Sequence, residues 1–134
     1  MQKDVTDKRL METWSLKVKE VAGNKCEYCN KTIGLNSHHI FSRSKLSTRW
    51  DVDNGVCLCV SCHVFSSKFS AHKTPTEFVE WIKEKRGLIW YKRLRKKADS
   101  TVKYTQKDRN EIYLNLCQVK ISLSSQDHYQ LGNL

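Results

Sequence analysis

Two cysteine pairs, C-E-Y-C at 26–29 and C-V-S-C at 59–62, constrain this chain more than any other feature. Paired C-x-x-C knuckles at this separation are the usual way to present four thiolates to one zinc ion. Such a site ties residue 26 to residue 62 and contributes folding free energy directly. With Cys26, Cys29, Cys59 and Cys62 all supplying sulfur, no position stays open for substrate, so this zinc reads as structural. Disulfides are the competing use of these thiols. They suit a secreted chain, whereas the N-terminal stretch MQKDVTDKRL lacks an apolar signal-peptide core. The expectation is therefore a cytoplasmic protein without a membrane span, because no apolar run approaches the roughly 18 residues of a membrane helix. Cys57 and Cys117 stand outside the pairs in apolar surroundings and read as packed thiols.

Length fits this picture. A chain of 134 residues, 39% hydrophobic and 28% charged, suits one compact domain or one domain with helical extensions, and a small core of this kind gains from a metal staple. The balance of 24 basic to 14 acidic residues gives a formal +10. Four thiolates and one dication would lower this by two, to about +8. So basic a chain suits a polyanionic partner, nucleic acid before an anionic membrane.

Periodicity sketches the elements. Leu10, Trp14, Val18 and Val21 predict a helix over 7–22 ended by Gly23. Residues 24–36 hold the first knuckle and a turn at Gly34. Residues 37–41 and 55–58 read as short strands, joined by a long polar loop over 42–54 in which Trp50 serves as core packing. A helix is expected over 60–69, with Val60, Val64 or Phe65, and Phe69 on one side. Thr74-Pro75-Thr76-Glu77 announces another, with a capping box and Pro at its first position, burying Phe78, Trp81 and Ile82 and stopped by Gly87. A very basic helix follows over 88–98. The last begins after Thr105, with a stripe of Ile112, Leu116, Val119 and Leu123, and the polar tail from Ser124 is expected to fray.

Between the knuckles stand S-H-H-I at 37–40 and D-N-G-V-C-L-C at 53–59, and the second knuckle runs into His63 as C-V-S-C-H. Knuckle, H-H, N and H in this order resemble the HNH endonuclease family, in its phage-type, four-cysteine branch. The resemblance runs from residue 26 to about residue 87. It implies an α+β fold, a small ββα-metal core stapled by zinc and flanked by helices at both ends. The implied organisation is an N-terminal helix over 1–23, a nuclease core over 24–87 and a basic helical extension over 88–134.

The resemblance also implies roles. Neighbours on a strand face opposite ways, so one imidazole of the pair can bind metal while the other faces water. By resemblance His38 and His63 are ligands of a catalytic divalent ion, magnesium, manganese or another. His39 is the general base, a task suited to a pKa near neutrality. Asn54 orders the interstrand loop. The implied reaction is one-metal hydrolysis of DNA leaving 5′-phosphate and 3′-hydroxyl ends. Each residue has a plainer use: H-H as solvated strand histidines, Asn54-Gly55 as a turn, His63 as a helix cap. Relatives often carry a further His three or four residues along the helix. Ser66 and Ser67 stand there instead, leaving the third ligand open; His72 is placed in the connecting loop and His128 is assigned nothing.

Arg43, Lys45 and Arg49 lie in the interstrand loop, where they could grip phosphates. Residues 83–97 hold eight Lys/Arg interleaved with Trp90 and Tyr91. Lys92, Arg93, Arg95 and Lys96 are the candidates there for a DNA-backbone surface. A non-catalytic zinc-containing nucleic-acid binder would need the cysteines and basic face but not His38, His39, Asn54 and His63 together. An RNA-directed protein would favour exposed aromatic platforms, whereas the aromatics here fall at core spacing. Recognition sequence, one- or two-strand cutting and biological role stay open. So do a homodimer, a phage-encoded partner and residence in a host cytoplasm.

Overall fold

The computed structural model describes residues 3–125, with side chains as far as residue 118. The first helix, α1, spans Asp7–Val21, with the Thr6 hydroxyl accepting from Arg9 N at its start. Leu10, Trp14 and Val18 form its buried stripe, while Val21 is exposed and leaves it. The chain turns off through Gly23, whose φ of +75° is left-handed backbone that glycine adopts without strain.

Strands β1, Leu35–His39, and β2, Gly55–Cys59, pair antiparallel with Leu35 opposite Cys59 and His39 opposite Gly55. β1 starts and ends two residues earlier than periodicity suggests. Beyond His39 the ladder is taken over by Asn54: its carbonyl accepts from Ile40 N and its side-chain oxygen from Phe41 N. The connection is no plain loop. It holds a short helix, α2, at Leu46–Arg49 and a 3-10 turn at Val52–Asn54, and it buries Ser47, Thr48 and Trp50.

After β2 the expected helix over 60–69 shrinks to one π-helical turn, Ser61–Phe65, closed by Ser66 N donating to Ser61 O. The Ser66 hydroxyl then accepts from Lys68 N and Phe69 N, so the polar residue competes with helical continuation. Val60 and Phe65 are exposed and only Phe69 is buried, so the expected shared face does not form. Helix α3, Pro75–Arg86, has Pro at its first turn, but Thr74 makes no capping bond. The Thr74 hydroxyl instead donates to Ser70 O and accepts from Ser70 N. Phe78 and Ile82 are buried and Trp81 half-buried. Gly87, at φ +102°, separates α3 from α4, Leu88–Ala98. Helix α5, Gln106–Ser125, opens with the reciprocal bonds Thr105 N to Asp108 Oδ2 and Asp108 N to Thr105 Oγ1. Ile112 and Leu116 pack as expected. Val119 and Leu123 lie outside the described side chains, and 126–134 with His128 outside the described residues.

The sheet is buried on both faces. Val56 and Leu58 face a cluster with Cys26, Cys62, Phe69, Phe78 and Ile82. Cys57 faces the other way into Leu10, Trp14, Val18, Trp50 and Leu116. A five-residue strand buried throughout cannot show the alternation of a half-exposed one. Cys57 is the packed thiol expected, and burial beside Glu27 pushes it up to about 11. Cys117 is exposed, correcting its assignment as packed. The apolar faces of α1 and α5 are spent on each other, with Val5 N bonded to Asn110 Oδ1 across the seam.

Gly55 is not the turn glycine that Asn-Gly suggests; its backbone is extended, at φ −120°. Close approach is its reason. A Cβ there would lie 2.3 Å from Val18 Cγ2 and 2.9 Å from Trp14 Cζ2. Gly55→Ala is therefore expected to cost about 2 kcal/mol, in the usual range for overpacking. In a thermal melt this is a drop of roughly 5–10 °C. An unchanged midpoint would show that α1 can move off β2 freely.

Candidate functional site

The four knuckle cysteines are brought together, with all four Sγ atoms within 4.8 Å of one another. Cys29 and Cys59 sulfurs are 3.6 Å apart. Tetrahedral ligands about 2.3 Å from zinc stand roughly 3.8 Å from each other, so the cluster fits the ion. Cys29 N donates to Cys26 Sγ at 3.5 Å, a hydrogen bond within the knuckle. Burial opposes ionisation at Cys59. Hydrogen bonds from Cys62 N and the neighbouring thiols outweigh it and bring Cys59 down to about 7. Burial pushes Cys29 and Cys62 up. The cluster is compatible with structural zinc. Glu27, within the first knuckle, accepts from Cys57 N at 2.8 Å and from Arg86 at 3.0 Å, fastening the knuckle to β2 and α3.

His38 and His39 face opposite ways, as strand geometry requires. His38 turns toward His63 on the π-turn and His72 beyond it, with ring centroids 5.0 and 5.5 Å away; His63 and His72 stand 4.7 Å apart. The three present ring nitrogens within 4.8 Å of one another. Burial first, then the charges of His63, His72 and His39, pull His38 down to about 3, and burial lowers His63 as well. Neutral imidazoles with free lone pairs are what a cation requires. Phe78 of α3 meets His38 edge-on at 5.2 Å and holds its ring.

His72 is the functional candidate that sequence reasoning left unassigned. Ala71 N donates to Cys62 O and His72 N to His63 O, laying residues 71–72 beside 62–63. The serine-rich turn at 66–70 makes that reversal. A His nine residues past His63 was the only signal, and spacing counted along a continuous helix could not use it.

His39, half-buried, donates from Nε2 to Arg49 O at 2.9 Å, leaving Nδ1 as its bare nitrogen. Burial lowers its pKa; the bond to Arg49 O acts the other way, and the charges of Arg43 and Arg49 add to the lowering. Asn54, fully buried, donates from Nδ2 to Phe41 O and Thr48 O while Oδ1 accepts from Phe41 N. Its amide thus clasps both ends of the segment that carries Arg43, Lys45 and Arg49.

Arg43 and Arg49 line a cleft of about 470 Å³ with Lys8 and Met11 of α1. Lys45 pairs with Asp99 at 3.3 Å. Lys92, Arg93, Arg95 and Lys96 are exposed on α4. Arg86 and Lys97, from the same basic run, are engaged internally with Glu27 and Asp51. Lys83 and Lys85 lie over Tyr91 and Trp81, so half of the eight cations serve the fold.

Two strands, a four-cysteine staple and converging histidines define a small α+β metal-binding domain. Its residues 26–68 match the family model described as HNH endonuclease, so this segment is similar to a nuclease-related domain with a metal site. No curated protein and no solved structure matches the chain. The matched segment ends before His72, α3 and α4. Among the described residues no helix is long and apolar enough to cross a membrane.

Proposed function

We propose that this protein is a metal-dependent DNA endonuclease in which His38, His63 and His72 hold one divalent cation and His39 is the general base. The convergence of three imidazoles beside a fourth with a single bare nitrogen carries the proposal. A zinc module that only binds nucleic acid has no use for such a cluster. Three nitrogen donors favour manganese or another first-row dication over magnesium, which prefers oxygen ligands. A cation held by these three imidazoles would supply Lewis-acid stabilisation of charge on the phosphate.

The chain's own residues do the rest. His39 Nδ1 accepts a proton from water as the water oxygen bonds to phosphorus. The bond from phosphorus to the 3′ oxygen breaks, and that oxygen takes a proton from solvent. Arg49 O holds the proton on Nε2 and so keeps Nδ1 the accepting atom. Asn54 keeps the Phe41–Thr48 segment in place, and with it Arg43, Lys45 and Arg49 for the flanking phosphates. Plasmid nicking with manganese, magnesium or chelator tests the reading. Cleavage in manganese and none in chelator is expected; no cleavage with any divalent ion sinks it.

The basic face has its own test. If Lys92 and Lys96, one turn apart on α4, each neutralise a phosphate, DNA affinity falls by about 0.9 log unit per log unit of salt for each. Replacing both with Ala should reduce the slope by roughly 1.8. An unchanged slope removes α4 from the interface and leaves the cleavage proposal standing.

A further inference from the structure

We propose that Trp14, on a helix outside the segment matched by the HNH family model, is a positioning residue for His39. The proposal rests on the reading of His39 as general base. The Trp14 indole lies flat on the His39 imidazole, with centroids 3.9 Å apart and planes 12° from parallel. The indole is itself fixed: it is 1% exposed, and its Nε1–H donates to Asp51 O at 2.7 Å. The slot it fills exists because His39's cross-strand partner is Gly55, where any Cβ would lie 2.9 Å from Trp14 Cζ2. Close by, Ser37 Oγ donates to Ser15 O at 2.7 Å, so strand and helix are tied beside the stack.

Two constraints on one ring do what either alone does not. The Nε2 bond to Arg49 O anchors one edge but leaves the ring free to swing about that bond. The indole face removes the swing and fixes the plane in which Nδ1 points. A proton acceptor must lie within hydrogen-bond reach of the water it serves, and misplacement by about 1 Å can cost on the order of 100-fold. α1 thus belongs to the site even though it precedes the matched segment.

The test compares Trp14→Leu, Trp14→Phe and, as a stability control, Leu10→Ala, a side chain buried one turn earlier on the same helix. Each variant is assayed in the full chain with manganese, below its melting midpoint. Trp14→Leu is expected to lower turnover roughly 10- to 100-fold with KM within about threefold, because the base is misplaced while DNA still binds. Trp14→Phe, which keeps a flat ring, should restore most of the rate. Leu10→Ala should lose stability but keep its turnover. The second readout is the His39 ring in NMR spectra. Its carbon-bound protons should be shifted upfield in the wild type and in Trp14→Phe, and its Nε2–H should exchange slowly; both signatures should vanish in Trp14→Leu. Should Trp14→Leu not fold, Trp14→Met, which fills space without a ring face, replaces it. Wild-type turnover in the ring-less variant overturns the proposal, as does loss of rate in step with Leu10→Ala or unchanged His39 signals. A wild type that never cleaves sinks the nuclease reading alone, since the NMR arm still decides whether Trp14 holds the ring.

Discussion

Stripping the ion from Cys26, Cys29, Cys59 and Cys62 is expected to unfold the chain. Three of these residues are buried in the same cluster as Val56, Leu58, Phe78 and Ile82, so the staple is part of the core and not an appendage to it. The magnitudes decide the outcome. Apparent zinc affinity in small fingers is worth about 10–16 kcal/mol, against a total stability of about 5–15 kcal/mol for an ordinary domain. Without zinc, the four thiols lose their common partner, and a five-residue ladder with the bonds of Asn54 must hold the sheet without the staple. A melt followed by circular dichroism, with one zinc per chain counted by elemental analysis, should lose its cooperative transition in strong chelator. Cys26→Ser should do the same without chelator. A chain that melts unchanged when metal-free, or that shows these cysteines paired as disulfides, would remove zinc from the account of the fold.

His39→Ala and His38→Ala should fail in different ways. Loss of the base is expected to reduce cleavage about 100- to 10,000-fold at any metal concentration, because a general base acts on the water and not on the ground-state complex. His38 and His72 belong to the three-imidazole cluster, so their Ala variants should need more manganese for half-maximal rate and recover part of it in excess. Neither loss should release the zinc, whose four ligands are elsewhere. Cleavage rate against manganese concentration, beside calorimetric titration, separates the cases. A His39→Ala protein that loses manganese affinity while His38→Ala keeps it would exchange the two roles. Wild-type cleavage by both would end the nuclease reading.

Much of this was legible because it depends on local rules. Knuckle spacing foretold four converging sulfurs. Strand alternation foretold that His38 and His39 part company, and the last helix begins after Thr105 as its pattern foretold. Helix ends at Gly23 and Gly87 were readable because each glycine takes left-handed backbone at its cap. The misreadings concern residues whose bonding partners the local pattern does not name. Thr74 looked like a helix cap but bonds back to Ser70. Asn54-Gly55 looked like a turn, yet Asn54 clasps Phe41 and Thr48 while Gly55 makes room for α1. Arg86 and Lys97 belong to the basic run and are held by Glu27 and Asp51.

The sequence by itself determined that four cysteines converge in a cluster compatible with zinc, because ligand identity and short spacing are properties of neighbouring residues. It also carried the likeness to the HNH model over residues 26–68 and the basic character. Tertiary structure alone decided that His72 joins His38 and His63, since that requires a chain reversal closed by two backbone bonds between 71–72 and 62–63. It alone decided which cations stay exposed, because that depends on acids some 50 residues away. And it alone set Trp14 over His39, through a glycine on the opposite strand: a contact among three separate segments leaves no periodic trace along any one of them.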